Sequence, residues 1–432
     1  MRKIPASGIN LFQLIYILIS EYEAKHAGHP DGKVLNLSLG NPDLIPAPEV
    51  LALKARFADR PDYDLHTYAE DKNLNRFCEG LVEAFTGLKL EAYPHLRATP
   101  IAGIKTATAI LPLACGLHLK GREHFRVVTN LPAYDVMGTW AGGYLGSNRI
   151  IWPLSARNGM KMRLEDLRAA VDSAGTKPGL IFVIRPGNPA SAGANRAEWE
   201  ALIPYCTENG IRLVNDGAYT TLTDPSSGNH VPLALVAKDH PALEWAELYS
   251  VSKSTSDPGQ RLGVMLGSKE FVEDFNLIKG NTDSGPVPLG MMAYGELFKD
   301  AALAKKLLAE TYGVYRKRLD VLVPKLRAIG LRPACETTSG FFTLWLTPDE
   351  AFGIDLVKES ATRGLPRAEV YNRLVIERTG IVGVHFTGPK LADGSTESFI
   401  RYAVCTDVTT PEFTRRFDTA ISRIQPRYRA TL

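Results

Sequence analysis

Between Phe125 and Gly267 the chain alternates short apolar, β-rich runs with helical stretches, and this pattern constrains the fold more than any other feature. The runs are Phe125–Thr129, Ile150–Leu154, Leu180–Arg185, Ile211–Asp216, Leu248–Ser252 and Val264–Gly267. Helical patterns separate several of them. One is Glu165–Val171, and another is Arg196–Asn209, with Trp199, Leu202, Ile203 and Cys206 on one stripe. Apolar runs without polar alternation fit strands buried on both sides. Strands separated by helices predict an α/β fold, a mostly parallel sheet sandwiched by helices.

After about Pro288 the texture changes. Met291–Leu326 reads as a long helical region rich in Leu, Ala, Lys and Arg. Short strands follow at Gly340–Leu346 and Ser398–Val404, with a helix around Arg367–Thr379 and a closing helix, Pro411–Ile424. This is an α+β segment and predicts a second, smaller domain. Thr347–Pro366, with Pro, Gly and many charges, reads as a flexible loop or lid. A chain of 432 residues exceeds one typical core, so roughly two or three domains are expected.

Arg2 and Lys3 before the apolar run Leu11–Ile19 imitate a short signal peptide. Glu21, Glu23 and Lys25 follow at once, and no small-x-small cleavage site stands at a suitable distance. Ser7 as N-cap, with Leu11, Leu14, Ile15 and Leu18 on one face, predicts an amphipathic first helix instead. The longest other apolar stretch, Ala107–Leu119, is too short to span a bilayer. Lys and Arg total 50 against 47 Asp and Glu, too even a balance for a dedicated nucleic-acid binder. Cys78, Cys115, Cys206, Cys335 and Cys405 lie far apart without a CxxC pair, as expected of buried thiols in a reducing compartment. A soluble cytoplasmic protein is the expectation, with no membrane or nucleic-acid partner. Nine His without HExxH or paired spacing leave a metal site unsupported. No Gly-x-Ser-x-Gly elbow, Walker loop or dinucleotide fingerprint occurs.

The strongest chemical signal is Leu248-Tyr-Ser-Val-Ser-Lys253-Ser-Thr-Ser-Asp-Pro-Gly-Gln-Arg261-Leu-Gly263. Lys253 stands just past a buried strand, where partial desolvation favours the neutral amine that attacks a carbonyl. Ser250, Ser252 and Arg261 supply hydroxyls and a forked cation suited to a phosphate. An isolated Ser-Lys pair would read as a surface loop. The full pattern, with Arg261 and Gly263 following, is far more specific.

This stretch resembles the fold-type I pyridoxal-phosphate (PLP) enzymes, in the class I and II aminotransferase branch. The resemblance implies that Lys253 is the catalytic lysine that holds the cofactor as an internal aldimine. Five further segments fit the family in order. In Val214-Asn215-Asp216-Gly217-Ala218-Tyr219, Asp216 matches the carboxylate at the pyridinium nitrogen and Tyr219 the tyrosine at O3′. Taken alone, an Asp starting a turn after a strand is the commoner case. In Arg185-Pro-Gly-Asn188-Pro189-Ala-Ser-Ala-Gly193, Asn188 matches the O3′ donor, with one extra residue before Gly193. By itself that cluster is a loop. Gly103-Ile104-Lys105, before a helix opening at Thr106, matches the phosphate cradle, where backbone N–H groups at a helix start receive an anion. The family more often has Gly-x-Thr there. The Gly-x-Lys form is similar to LL-diaminopimelate aminotransferases and would bring Lys105 to the phosphate. Tyr134, two residues after Pro132, matches the aromatic that stacks on the ring, while a core aromatic is the plain alternative.

Gly40, in Leu39-Gly40-Asn41-Pro42-Asp43, and Arg401, in Phe399-Ile400-Arg401, match the clamp on the substrate α-carboxylate, with Asn188. A structural carboxylate is the alternative partner for Arg401. Tyr68 matches the tyrosine that reaches the phosphate of the neighbouring subunit, although the usual following Gly is replaced by Lys72 and Asn73. The resemblance runs from Ser7-Gly8-Ile9 to the last strand. It implies a PLP-binding large domain, 49–290, a small domain built from 1–48 and 291–432, and a homodimer.

The function implied is exchange of an amino group between an L-amino acid and a 2-oxo acid. Lyases, decarboxylases and oxidases share the same residues and remain the alternative. A PLP-binding transcriptional regulator would need a winged helix-turn-helix, and none is expected in the residues before Leu37. Substrate identity is nearly silent. Lys105, His66, Asp71 and His385 are the unusual elements, and Val384–Gly388 matches a family loop that often has Pro in place of His385. Asp71 would read a distal amine if it faced the site, and capping a surface helix is its alternative role.

Overall fold

The computed structural model describes residues 11–68, 71–117, 119, 126–146 and 149–429. Two compact units emerge: Asn41–Tyr315 with Glu336–Gly340, and Met1–Gly40 with Arg316–Cys335 and Phe341–Leu432. These bounds differ from a division at 48/49 and 290/291. The difference has a local cause. Helix Pro288–Phe298 packs on helices Pro48–Ala58 and Asp71–Thr86, so all three belong to the larger unit.

The larger unit is built on a seven-stranded sheet. Its strands are β1 (Leu96–Ile101), β2 (Val127–Leu131), β3 (Arg149–Pro153), β4 (Leu180–Ile184), β5 (Arg212–Asp216), β6 (Trp245–Ser250) and β7 (Gly263–Ser268). Their spatial order is β1-β7-β6-β5-β4-β2-β3. From β6 to β3 every pairing is parallel. β7 runs antiparallel to both neighbours. Every residue of β4 and of β6 is buried, as expected of strands covered on both faces. Each large apolar side chain removed from water there contributes on the order of 2 kcal/mol.

Helices start and stop where the local chemistry directs. Arg196–Asn209 opens on a capping box, Asn195 with Glu198, and closes on Gly210 in the left-handed region at φ 61°. Trp199 from this helix donates Nε1–H to the Val231 carbonyl at 2.7 Å. β1 was not anticipated from the sequence. Its Pro100 has no N–H to give, which only an edge strand or bulge tolerates, and β1 is the sheet edge.

The smaller unit carries a three-stranded antiparallel sheet: β8 (Phe342–Leu346), β9 (Val384–Lys390) and β10 (Thr396–Ala403), with β10 in the centre. The first helix, Leu11–Lys25, buries Ile15 against Ile376, Val382 and Val384. Its expected cap, Ser7, lies outside the described residues, as do Phe125 and the Ser7-Gly8-Ile9 segment. Leu35–Asn36 pairs in parallel with Ile381–Val382. The Ala403 N–H then donates to the Leu37 carbonyl at 2.7 Å, which fixes the chain entering Gly40.

Three sequence expectations change. The long helical region is two helices, Pro288–Phe298 and Ala301–Ala328, because the Asp300 carboxylate accepts the Leu303 N–H at 2.9 Å and caps a new start. Thr347–Pro366 is ordered rather than a flexible lid. It forms a tight pair, Glu350–Ala351 with Ile354–Asp355, and a helix, Leu356–Arg363, capped by the Asp355 side chain. Val384–Gly388, expected as a loop, is the first part of β9, and its residues 384–387 pair with β10 before the register shifts. Among the described residues no helix is long and apolar enough to cross a membrane.

Candidate active site

The register of the large sheet brings its chemical residues to one edge. Asp216 is the last residue of β5, Ser250 the last of β6, and Ile184 the last of β4. Ser250 pairs with Gly263, as Ile101 does, and Ile184 pairs with Asp216. In a parallel sheet the carboxyl ends open a crevice where ligands bind. Gly263 can carry no side chain here, since a Cβ would stand 2.2 Å from the Tyr249 carbonyl oxygen.

At this edge lies a cavity of about 230 Å³. Ile104, Lys105, Tyr134, Asn188, Asp216, Tyr219, Ser250, Ser252, Lys253 and Arg261 all line it. These residues come from five separate segments of the sequence. Gly103 joins them at the edge, because its would-be Cβ would strike the Arg261 guanidinium. Tyr68 is exposed elsewhere on the same unit, and Gly40 and Arg401 belong to the smaller unit.

Several groups on the cavity wall suit an anion. Gly103 is the N-cap of helix Ile104–Ala114, which therefore starts two residues before the expected Thr106. Its first backbone N–H groups have no helical acceptor. Ser250 Oγ accepts the Ser252 N–H at 3.0 Å and meets Ser252 Oγ at 2.9 Å, so the turn after β6 presents both hydroxyls together. This turn is the short helix Val251–Ser254, which carries Lys253. Arg261 Nη1 donates to the Pro258 carbonyl at 3.0 Å. The Lys105 ammonium stands 5.6 Å from the centre of the Tyr134 ring.

The same cavity is lined by a carboxyl group, Asp216. Asp216 keeps partial exposure toward the cavity, yet the surrounding protein desolvates its carboxylate and pushes its pKa up to about 7. The Ala218 N–H, at 3.0 Å from Oδ1, and the Lys253 charge oppose that rise without cancelling it. Such a group is poised to hold a cation or a proton. The Tyr134 N–H donates to the Asn188 carbonyl at 2.8 Å, tying the two loops that flank the cavity. Asn215 ties a third, since its Oδ1 accepts the Arg185 N–H at 2.9 Å and its Nδ2 donates to the Arg185 carbonyl at 2.8 Å.

In the smaller unit Arg401 sits in the middle of β10 and is buried. Its Nη2 donates to the Ser38 carbonyl at 2.7 Å, and its guanidinium lies 4.1 Å from the Phe342 ring centre. A Cβ on Gly40 would stand 3.9 Å from Nη1, so this glycine backbone is beside the fork. His385 is enclosed on β9, where burial lowers its pKa to about 4 despite Glu369 at 3.9 Å. His66 is exposed, and the Asp71 side chain lies outside the described residues.

The sequence reading missed Thr108, Val136, Phe182, Ile184, Ala218 and Pro258, which also line the cavity. They are mostly apolar and carry no chemical signature. Ile184 and Ala218 were findable only as neighbours of strand ends.

A model of the family described as aminotransferase class I and II matches residues 33–417. The chain belongs to this aminotransferase family. It is an enzyme of PLP-dependent amino-group transfer with the family's fold-type I α/β architecture. Among similar proteins, an LL-diaminopimelate aminotransferase of Nitratidesulfovibrio vulgaris is 26% identical over 399 residues, covering 90% of each chain. Another so named, from Syntrophobacter fumaroxidans, is 26% identical over 400 residues and 92% of each. Among solved structures, the Thermus thermophilus aspartate aminotransferase with maleate has a TM-score of 0.72 at 20% identity, covering 98% of this chain and 100% of that one. The Pyrococcus horikoshii aromatic aminotransferase has a TM-score of 0.71 at 17% identity, covering 94% and 97%. These two likenesses concern the fold.

Proposed function

We propose that this aminotransferase exchanges an amino group between an L-amino acid and a 2-oxo acid, with PLP held in the cavity of the larger unit. When bound, PLP supplies an aldehyde that condenses with amines and a cationic ring that draws electrons from the substrate Cα. The observation that carries this reading is one cavity lined both by cationic and hydroxyl groups, Lys105, Arg261, Ser250 and Ser252, and by a carboxylate of raised pKa, Asp216. The donor set fits the group. Ser250, Ser252, Arg261, Lys105 and the N–H groups at Gly103–Ile104–Lys105 suit a phosphate dianion. Asp216 suits a protonated ring nitrogen, Tyr134 offers an exposed ring face, and Asn188 and Tyr219 are donors for a ring oxygen.

In this reading Lys253 Nζ would serve as the general base that takes the α-proton from the substrate Cα and then as the general acid that gives it up. Asp216 would hold a proton on the ring nitrogen, and its raised pKa would fall beside that added cation. Arg401, backed by the Gly40 backbone, forks the substrate α-carboxylate and so fixes which bond at Cα is broken. Tyr68, exposed on a single chain, acts on the phosphate of a second copy in a homodimer. Five free, buried cysteines accord with a reducing, cytoplasmic setting.

A Lys253→Ala variant is the direct test. It should retain the fold, lose the near-visible absorbance of the bound cofactor and lose turnover, and normal turnover would refute the assignment. A donor panel with pyruvate and 2-oxoglutarate should yield a keto acid matched by acceptor consumption. The names of the relatives make a diamino dicarboxylic acid the first donor to try. Release of ammonia or peroxide instead would reassign the site to a lyase or an oxidase.

A further inference from the structure

The segment 254–260 joins Lys253 to Arg261, the amine and the guanidinium that share the cavity. Its geometry is not relaxed. Ser256 at φ 55° and Arg261 at φ 52° occupy the left-handed region without being glycine. A residue with a side chain is strained in that region, so surrounding contacts must hold the segment.

Asp257 supplies those contacts from two directions. Its carboxylate pairs with the Lys54 ammonium, from helix Pro48–Ala58. It also accepts the Tyr294 hydroxyl at 2.8 Å, from helix Pro288–Phe298. Tyr294 Oη meets Thr255 Oγ1 at 2.8 Å, so a second residue of the segment is tied to the same hydroxyl. The Asp257 side chain is only 12% exposed, which strengthens the charge pair relative to one in water. From this anchored residue the chain turns at once. The Gln260 N–H donates to the Asp257 carbonyl at 3.2 Å, and Arg261 Nη1 donates to the carbonyl of the next residue, Pro258.

We propose that Asp257 is a positioning residue: pinned between Lys54 and Tyr294, it sets where the Arg261 guanidinium stands and so how tightly the cavity holds a phosphate group. The proposal rests on the reading of the cavity as a PLP site. It assigns Asp257 to the hold on the phosphate alone.

The test compares two aldehydes, PLP and pyridoxal, which differ in the phosphate. Full-length protein freed of cofactor is titrated with each and followed by absorbance. In Asp257→Asn the Kd for PLP should rise roughly ten- to a hundredfold, since a misplaced group costs that much, while that for pyridoxal changes by less than about threefold. Tyr294→Phe removes one hydroxyl and should give the same selective loss at smaller size; it decides the matter if Asp257→Asn does not fold. An equal loss for both aldehydes, or no loss for either, overturns the proposal. A wild type that binds neither overturns the cofactor reading as well.

Discussion

The Arg261 guanidinium lies against the backbone of Gly103, so close that a Cβ on the glycine would stand 2.4 Å from Nη2. Helix start and loop end, far apart in sequence, thus meet at the cradle proposed for the phosphate. Gly103 also has a φ of +81°, which side-chain-bearing residues rarely adopt. Gly103→Ala should therefore push the guanidinium aside and add about 1–2 kcal/mol of backbone strain. PLP binding should weaken by about tenfold or more, and the melting temperature of the cofactor-free protein should fall by a few degrees. Spectroscopic titration and calorimetry would measure the two effects. Unchanged PLP affinity would count against the cradle.

Asp216 imposes a pH dependence on the cofactor-free protein. Its carboxyl has an ordinary pKa near 3.8 when unfolded and about 7 when folded. Between those values the folded state holds the extra proton, so stability falls as pH rises, and above about 7 the full penalty persists. The penalty is on the order of 4 kcal/mol when complete. Asp216→Asn should accordingly stabilise the cofactor-free protein at pH 8 and change it little at pH 4. Denaturant unfolding at both pH values would test the sign. A gain confined to low pH would contradict it.

Arg401 should be irreplaceable by lysine. The planar fork that donates to Ser38 and stacks on Phe342 cannot be reproduced by an ammonium. Arg401→Lys is expected to raise the KM for every amino acid donor by roughly tenfold or more, while PLP affinity stays within about twofold. Steady-state kinetics across donors, beside a cofactor titration, would separate the two. A loss confined to one donor would mean that Arg401 reads a side chain rather than the α-carboxylate.

Much of the site could be read before any coordinates. Asp216 ends a strand and Lys253, Asn188 and Tyr134 follow strands, and a residue at or just past the end of a buried strand has a direction imposed by the sheet. The supporting residues could not be read in this way. Asp257 lies in a polar loop and Lys54 on an ordinary helix, 203 residues away in sequence. Nothing local in either marks the pairing.

The amino-acid sequence alone determined the α/β class, most of the strands and helices, and the order of the chemical motifs. Those properties rest on side-chain periodicity, caps and turn residues, which act over a few positions. Only the tertiary structure decided that Arg261 meets Gly103, that Asp216 is desolvated enough to titrate near 7, and that Asp257 is clamped by two helices. Those depend on packing between distant segments. It also decided that 347–366 is ordered, because the Asp355 cap and the paired strands outweigh a composition that reads as loop.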